Sequence, residues 1–307
     1  MTLAGFWFKL ARTIDRLQST SPASWREFTL RLGVLTDIHH CPPGSPPGGW
    51  HNPHHFDDAL DRLRTSLAWL EGQRVDRLAV LGDLTHFGDE TSLGEVLAVL
   101  GASSLPTWIL TGNHDLNPDH TALAAALDAG KHANVRSIEG KQEAFGPDWL
   151  VVGLGMERGT NGAGFSAAGL AMGSWADTPA IVVSHFPLLS TAAEVKGAGL
   201  KYAGDLVNGA EIESALLART APTIAISGHL HVRHAMAKGA ILQASCAAQI
   251  ESLFEATVFE FGDWGDGRIS WSSTSMQNVS DGTLPVLSER EQRWSWDGAG
   301  WVPAAGA

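Results

Sequence analysis

Two cysteines in 307 residues, Cys41 and Cys246, cannot build a disulfide framework, so a reducing compartment is the expectation. Cys41 stands two residues after His39, but no second cysteine lies nearby to complete a thiolate metal site. A small loop residue is therefore the preferred reading of Cys41. Long apolar runs are missing too, and nothing approaches the roughly 18 residues that span a bilayer. The amino-terminal stretch lacks the apolar core and small-residue cleavage site of an export signal, which makes a cytoplasmic, bacterial-type protein the expectation. Positive charge is scarce: 21 Lys+Arg stand against 33 Asp+Glu, for a formal net charge of −12. Polymeric nucleic acid draws most of its affinity from Lys and Arg, so it is not an expected partner. A small phosphate ester stays compatible, because a bound cation inverts the local potential. Internal repeats and low-complexity segments are absent, and 44% hydrophobic with 18% charged residues describes an ordinary globular chain. A homo-oligomer is compatible with all of this.

Leu3, Phe6, Trp7, Leu10, Ile14 and Leu17 recur at helical spacing, interrupted by Lys9, Arg12 and Arg16. Residues 1–28 therefore read as an amphipathic helix and linker, docked on the body or a partner in preference to a membrane surface. The main domain is expected over 29–275. Strands are expected at Phe28–Leu35, Leu78–Leu81 and Pro106–Leu110, separated by helices near 56–70, 91–100 and 120–129. This βαβαβ alternation implies parallel strands with right-handed crossovers. Between Val135 and Met156 the helices vanish and antiparallel or edge strands are expected. Strands at Ala180–Val183 and Thr223–Ile226 flank a helix near 205–218, and 240–243, 256–261 and 268–272 read as strands of a second sheet. Trp294, Trp296 and Trp301 mark residues 276–307 as a tail that packs on the domain.

The chemistry gathers in five short stretches, each just after an apolar run: Asp37-Ile38-His39, Gly82-Asp83, Thr111-Gly112-Asn113-His114-Asp115, Ser184-His185 and Gly228-His229-Leu230-His231. Strand ends of an α/β sheet are where such a site belongs. Asp37, His39, Asp83, Asn113, His185, His229 and His231 offer two carboxylates, one amide oxygen and four imidazoles. That is too many donors for one tetrahedral site, and oxygen and nitrogen donors without thiolate suit Mn, Fe, Zn or Co. Two cations sharing one carboxylate could clamp a phosphoryl group and carry a bridging hydroxide for in-line attack. His114 is left as a cation or general acid, with Asp115 placed to orient its imidazole. Gly82, Gly112 and Gly228 stand where the backbone must turn and approach the centre closely.

Other residues near these stretches are weaker candidates. The Pro/Gly-rich run 41–49 reads as a loop walling the site, and His51, His54 and His55 as solvated loop histidines. His40 and His86 adjoin the donors and are candidate substrate contacts, as are Lys196, Lys201 and Tyr202 in a candidate specificity loop over 188–204.

The ordered set Asp-x-His, Gly-Asp, Gly-Asn-His-Asp, His, Gly-His-x-His, running from Asp37 to His231, resembles the calcineurin-like metallophosphoesterase superfamily. The resemblance implies an α/β fold, a four-layer αββα sandwich of two facing mixed sheets flanked by helices. It also implies one metal on Asp37, His39, Asp83 and His231, a second on Asp83, Asn113, His185 and His229, and His114 as the substrate-facing acid. Within the superfamily the pattern is similar to bacterial class III cyclic-nucleotide phosphodiesterases and glycerophosphodiesterases. The expectation is thus a phosphodiesterase acting on small substrates, with a phosphomonoesterase of the same fold or a non-catalytic protein-binding scaffold as alternatives. The complete donor set counts against the scaffold, and the acidic balance against a DNA nuclease. A phosphoprotein phosphatase would want arginine beside the metals, and only Arg233, two residues past His231, comes near.

Overall fold

The computed structural model describes residues 28–116, 122–128, 130–159, 164–168, 175, 177–262, 267–277 and 285–304. The expected amino-terminal helix lies outside them. Strands β1 (Phe28–Leu35), β2 (Arg77–Leu81), β3 (Thr107–Leu110) and β4 (Val135–Ser137) run parallel, side by side. β2 and β3 are buried on both faces, as is β1 from Leu32 to Leu35, which is why they read as apolar runs. Along β2, Leu78 and Val80 enter one core while Ala79 and Leu81 enter another.

The first of these cores lies under helices α1 (Ala59–Gly72) and α2 (Glu90–Ala102). Leu63, Leu67 and Leu70 bury one stripe of α1, and Leu93, Val96, Leu97 and Leu100 one stripe of α2. Asp89 caps α2, accepting the Ser92 N–H at 2.9 Å. A shorter helix, α3 (Ala122–Asp128), precedes β4.

One expectation is corrected here. Residues 256–261 and 268–272 join the first sheet, not the second. β13 (Glu255–Gly262) pairs antiparallel with β1, Leu32 opposite Phe259, and β14 (Arg268–Ser275), β15 (Glu291–Trp296) and β16 (Trp301–Pro303) extend that side. The final order is β16-β15-β14-β13-β1-β2-β3-β4. Apolar alternation showed that these segments were strands, but nothing in it names a partner. Of the tail tryptophans, Trp301 is buried, with its indole N–H donated to the Ala240 carbonyl at 3.1 Å.

The second sheet has six strands: β5 (Gln142–Phe145), β6 (Trp149–Gly153), β9 (Ala180–Val183), β10 (Thr223–Ser227), β11 (His234–Lys238) and β12 (Ile241–Ser245), in the order β11-β12-β10-β9-β6-β5. β6, β9, β10 and β12 are parallel and the two edges antiparallel. β7 (Gly155–Arg158) and β8 (Phe165–Ala168) form a separate pair. The segment 188–204 contains a short helix, α4 (Ala192–Gly197). Helix α5 (Gly209–Leu217) covers the outer face through Ile212 and Leu216. It starts later than expected, because Gly204 takes a φ of +105° and Leu206 is buried ahead of the helix.

The two sheets face each other across a second core, where Phe261 meets Trp149 at 5.4 Å and Phe145 at 6.0 Å between ring centres. The result is the αββα sandwich, and β1, β2, β3, β9 and β10 all end towards one site.

Candidate metal centre

The seven expected donors converge. Asp83 Oδ2 lies 3.3 Å from His39 Nε2 and 3.4 Å from His185 Nε2, and Asp37 Oδ1 lies 3.4 Å from His231 Nε2 and 3.9 Å from His39 Nε2. Asn113 Oδ1 is 3.0 Å from His185 Nε2. The local backbone is bent to achieve this. Among the described residues, seven that are not glycine have positive φ, and five of them are Asp37, His39, Asp83, His229 and His231, at 50–66°. Such conformations are uncommon and costly for residues with a Cβ, and they cluster at functional sites. Two glycines serve close approach: a Cβ at Gly112 would stand 2.1 Å from Asp83 Oδ1, and one at Gly228 would stand 2.7 Å from Asp37 Oδ2.

Neighbouring groups aim the rings. His185 Nδ1 donates to the Leu81 carbonyl at 2.7 Å, and His231 Nδ1 faces Glu251 Oε1 at 3.1 Å. Phe186 stacks on His229 at 3.6 Å. Thr36 Oγ1 and the His229 N–H both donate to Asp37 Oδ2, at 2.7 and 3.0 Å.

Three donor atoms are buried with no hydrogen-bond partner: Asp37 Oδ1, His39 Nε2 and His229 Nε2. Leaving such atoms unpaired costs about 1–3 kcal/mol each unless something else satisfies them. Cations do so. The donor atoms of Asp37, His39 and His231 lie within 4.8 Å of one another, as do those of Asp37, Asp83 and His185. Burial works against the charge on Asp37, but His231 outweighs it and holds the carboxyl well below its usual range; at Asp83, His185 does the same. Burial likewise opposes charge on His185 and His231, yet Asp83 pushes the first up to about 9 and Asp37 the second up to about 10. At His229 burial, together with nearby His185, outweighs Asp83 and Asp37 and lowers the ring to about 3. The set fits divalent cations: mixed oxygen and nitrogen donors, buried, with lone pairs left over.

The family model for calcineurin-like phosphoesterases matches residues 30–233. The chain belongs to that family. As a calcineurin-like phosphoesterase, it is a metal-dependent phosphoesterase of a family that includes two-metal enzymes. It is 26% identical over 215 residues, 66% of this chain and 72% of the relative, to a Rhodopseudomonas palustris protein named "Probable cyclic nucleotide phosphodiesterase". A dimetal phosphatase from Danio rerio shares the fold, with a TM-score of 0.64 and 14% identity over 82% of this chain and 98% of that one.

The remaining expectations divide. In this phosphoesterase His114 lines the cavity, its Nδ1 2.8 Å from the His86 carbonyl and its ring stacked on His86 at 4.7 Å. His86 lines the cavity as well. Asp115 does not orient His114. Its oxygens accept the N–H groups of Leu84, Thr85 and Gly112 and the Thr85 hydroxyl, so it ties the two donor loops together. Burial and nearby Asp83 push its carboxyl up to about 6. His40 turns away, its Nε2 2.6 Å from Glu95 on α2. Lys196 lies over the ring of Tyr202, whose hydroxyl donates to Asp205, and neither lines the cavity; Lys201 lies over the ring of Trp50, at 5.5 Å, and does not line it either. Cys41 is a buried loop residue outside the donor clusters found among the described residues.

The 41–49 loop does wall the site, through Gly48 and Gly49. His54 corrects the solvated-histidine reading: its side chain is 6% exposed and it lines the cavity. Ala203 brings the expected specificity loop over 188–204 to the cavity, whereas Trp50 and Glu251 were not anticipated. Glu251 follows Ala247-Ala248-Gln249-Ile250 with no motif around it, so no sequence signal marks it.

Proposed function

We propose that this chain hydrolyses small phosphodiesters, of cyclic-nucleotide or glycerophosphodiester type, at a two-cation centre. The observation that carries this reading is the cavity over the donors, of about 340 Å³, whose remaining wall is Gly48, Gly49, Trp50, His54, His86, His114 and Ala203. No lysine or arginine lines it among the described residues. Burial lowers both His54 and His86 to about 4, which makes them neutral near pH 7. A monoester dianion calls for cationic side chains beyond the metals. A diester carries one charge and two ester arms, and suits a wall without lysine or arginine that offers an indole face. A larger groove between α1 and α2, about 530 Å³, holds none of the donors. The name of the Rhodopseudomonas relative supports the diester reading.

Asp37, His39, Asp83 and His231 would hold one cation, and Asp83, Asn113, His185 and His229 the other, with Asp83 shared. Mn, Fe, Zn or Co would suit these donors. Bound there, the cations supply Lewis acidity and a hydroxide nucleophile at neutral pH. His114 donates its Nδ1–H to the His86 carbonyl, which leaves Nε2 to carry the proton given to the departing alkoxide.

The test is turnover of bis-p-nitrophenyl phosphate against p-nitrophenyl phosphate after Mn²⁺ loading. The diester should be the better substrate by kcat/KM. A monoester preference would overturn the reading.

A further inference from the structure

Glu251 is completely buried, and its carboxylate faces four donors. Oε1 lies 3.1 Å from His231 Nδ1 and accepts the His51 N–H at 3.4 Å. Oε2 accepts the Asn52 N–H at 2.9 Å and the Trp50 N–H at 3.3 Å. The loop and the donor strand end are fastened once more where His51 Nε2 meets the Leu230 carbonyl at 2.9 Å. One side chain thus grips a metal donor with one oxygen and the cavity wall with the other.

An ionised carboxylate only accepts hydrogen bonds. His231 must therefore carry a proton on Nδ1, which leaves Nε2, beside Asp37 Oδ1, as the position where a cation takes the place of the second proton. We propose that Glu251 is a positioning residue with two duties: it sets the tautomer and aim of His231 for cation binding, and it holds Trp50 in the substrate wall. The inference rests on the two-cation reading given above.

Glu251→Gln separates the duties, because an amide has one accepting end and one donating end. Backbone N–H groups cannot exchange their role, so the amide oxygen stays with Asn52 and Trp50, and only the long 3.4 Å contact with the His51 N–H is given up. The NH₂ end then faces His231 Nδ1, which can accept only if the ring proton moves to Nε2, where the cation should bind. Loss of an outer partner of a metal-binding histidine typically weakens affinity about 10–100-fold.

The experiment is Mn²⁺ titration followed by calorimetry and elemental analysis, without substrate, with KM then measured on bis-p-nitrophenyl phosphate at saturating Mn²⁺. Glu251→Gln should weaken one of two ions by that factor and leave KM as in the wild type. Trp50→Ala should do the reverse, raising KM with both affinities intact. A Glu251→Gln protein that binds both ions as tightly as wild type overturns the role of Glu251 alone. So does a Trp50→Ala protein that loses metal affinity, since the two duties would then not be separable. A wild type that takes up fewer than two ions overturns the two-cation reading and this role together.

Discussion

Gly228→Ala tests how tightly the donor loops are packed. A methyl group there would stand 1.8 Å from Thr36 Oγ1 and 2.7 Å from Asp37 Oδ2. Thr36 cannot retreat freely, because its hydroxyl is the 2.7 Å donor to Asp37, and His229 supplies the other hydrogen bond to that same oxygen. Overpacking of this kind costs about 1–3 kcal/mol. Losing one hydrogen bond to the charged Asp37 adds about 1.5–3 kcal/mol. Together these come to about 2.5–6 kcal/mol, a large share of the roughly 5–15 kcal/mol that holds a typical domain folded. The expected fall in Tm is on the order of 10 °C. Gly94→Ala is the control: it sits within α2 and its added methyl meets nothing within 4 Å. It should stabilise the protein by up to about 1 kcal/mol, through helix propensity alone. Thermal unfolding by circular dichroism, with EDTA and with Mn²⁺, reads both variants, and elemental analysis reads their metal. If Gly228→Ala melted within about 2 °C of wild type and kept its metal, the packing described here would be refuted.

Three further outcomes are expected. Asp83→Ala and Asn113→Ala should abolish turnover through metal loss, so elemental analysis should fall with activity; either variant that stayed inactive with full metal content would need another explanation. His114→Ala should keep its metal and lose about 10²–10⁴-fold in kcat on diesters with poor leaving groups, and full rate on such a substrate would remove the acid role. In EDTA-stripped protein, His185 (about 9) and His231 (about 10) both hold a proton at neutral pH, which a cation must displace. Metal affinity should therefore rise with pH up to that range, and calorimetry in buffers of different ionisation enthalpy should register about two protons released on loading near pH 7. Release of none would contradict it.

Much of the site was legible because each donor follows a strand that is buried on both faces, and such strands leave an apolar run pointing at the residue that matters. Asp37, Asp83 and His185 could be placed from one-dimensional pattern for that reason. Roles that depend on a distant partner were not legible. Asp115 adjoins His114 in the chain, yet its acceptors are taken by N–H groups of the 84–85 turn. His40 adjoins His39, yet the left-handed backbone at His39 turns the chain between them, and His40 ends on Glu95. Trp50 and His54 follow a Pro/Gly-rich loop, where composition predicts solvent and only tertiary contact predicts burial. The pairing of β13 with β1 failed for the related reason that strand patterns carry a face and not a neighbour.

The position of β1 has a consequence for how the molecule comes into being. Its two neighbours, β2 and β13, are separated by more than half the chain. Every proposed metal donor has been synthesised by His231, and the family match stops at residue 233, yet the strand that seals the other side of β1 begins only at Glu255. On the ribosome the donor-bearing part must wait, one sheet edge unpaired, for a partner still being made. A polypeptide shortened to the matched segment would hold all seven donors and be the version most prone to stick to its own copies.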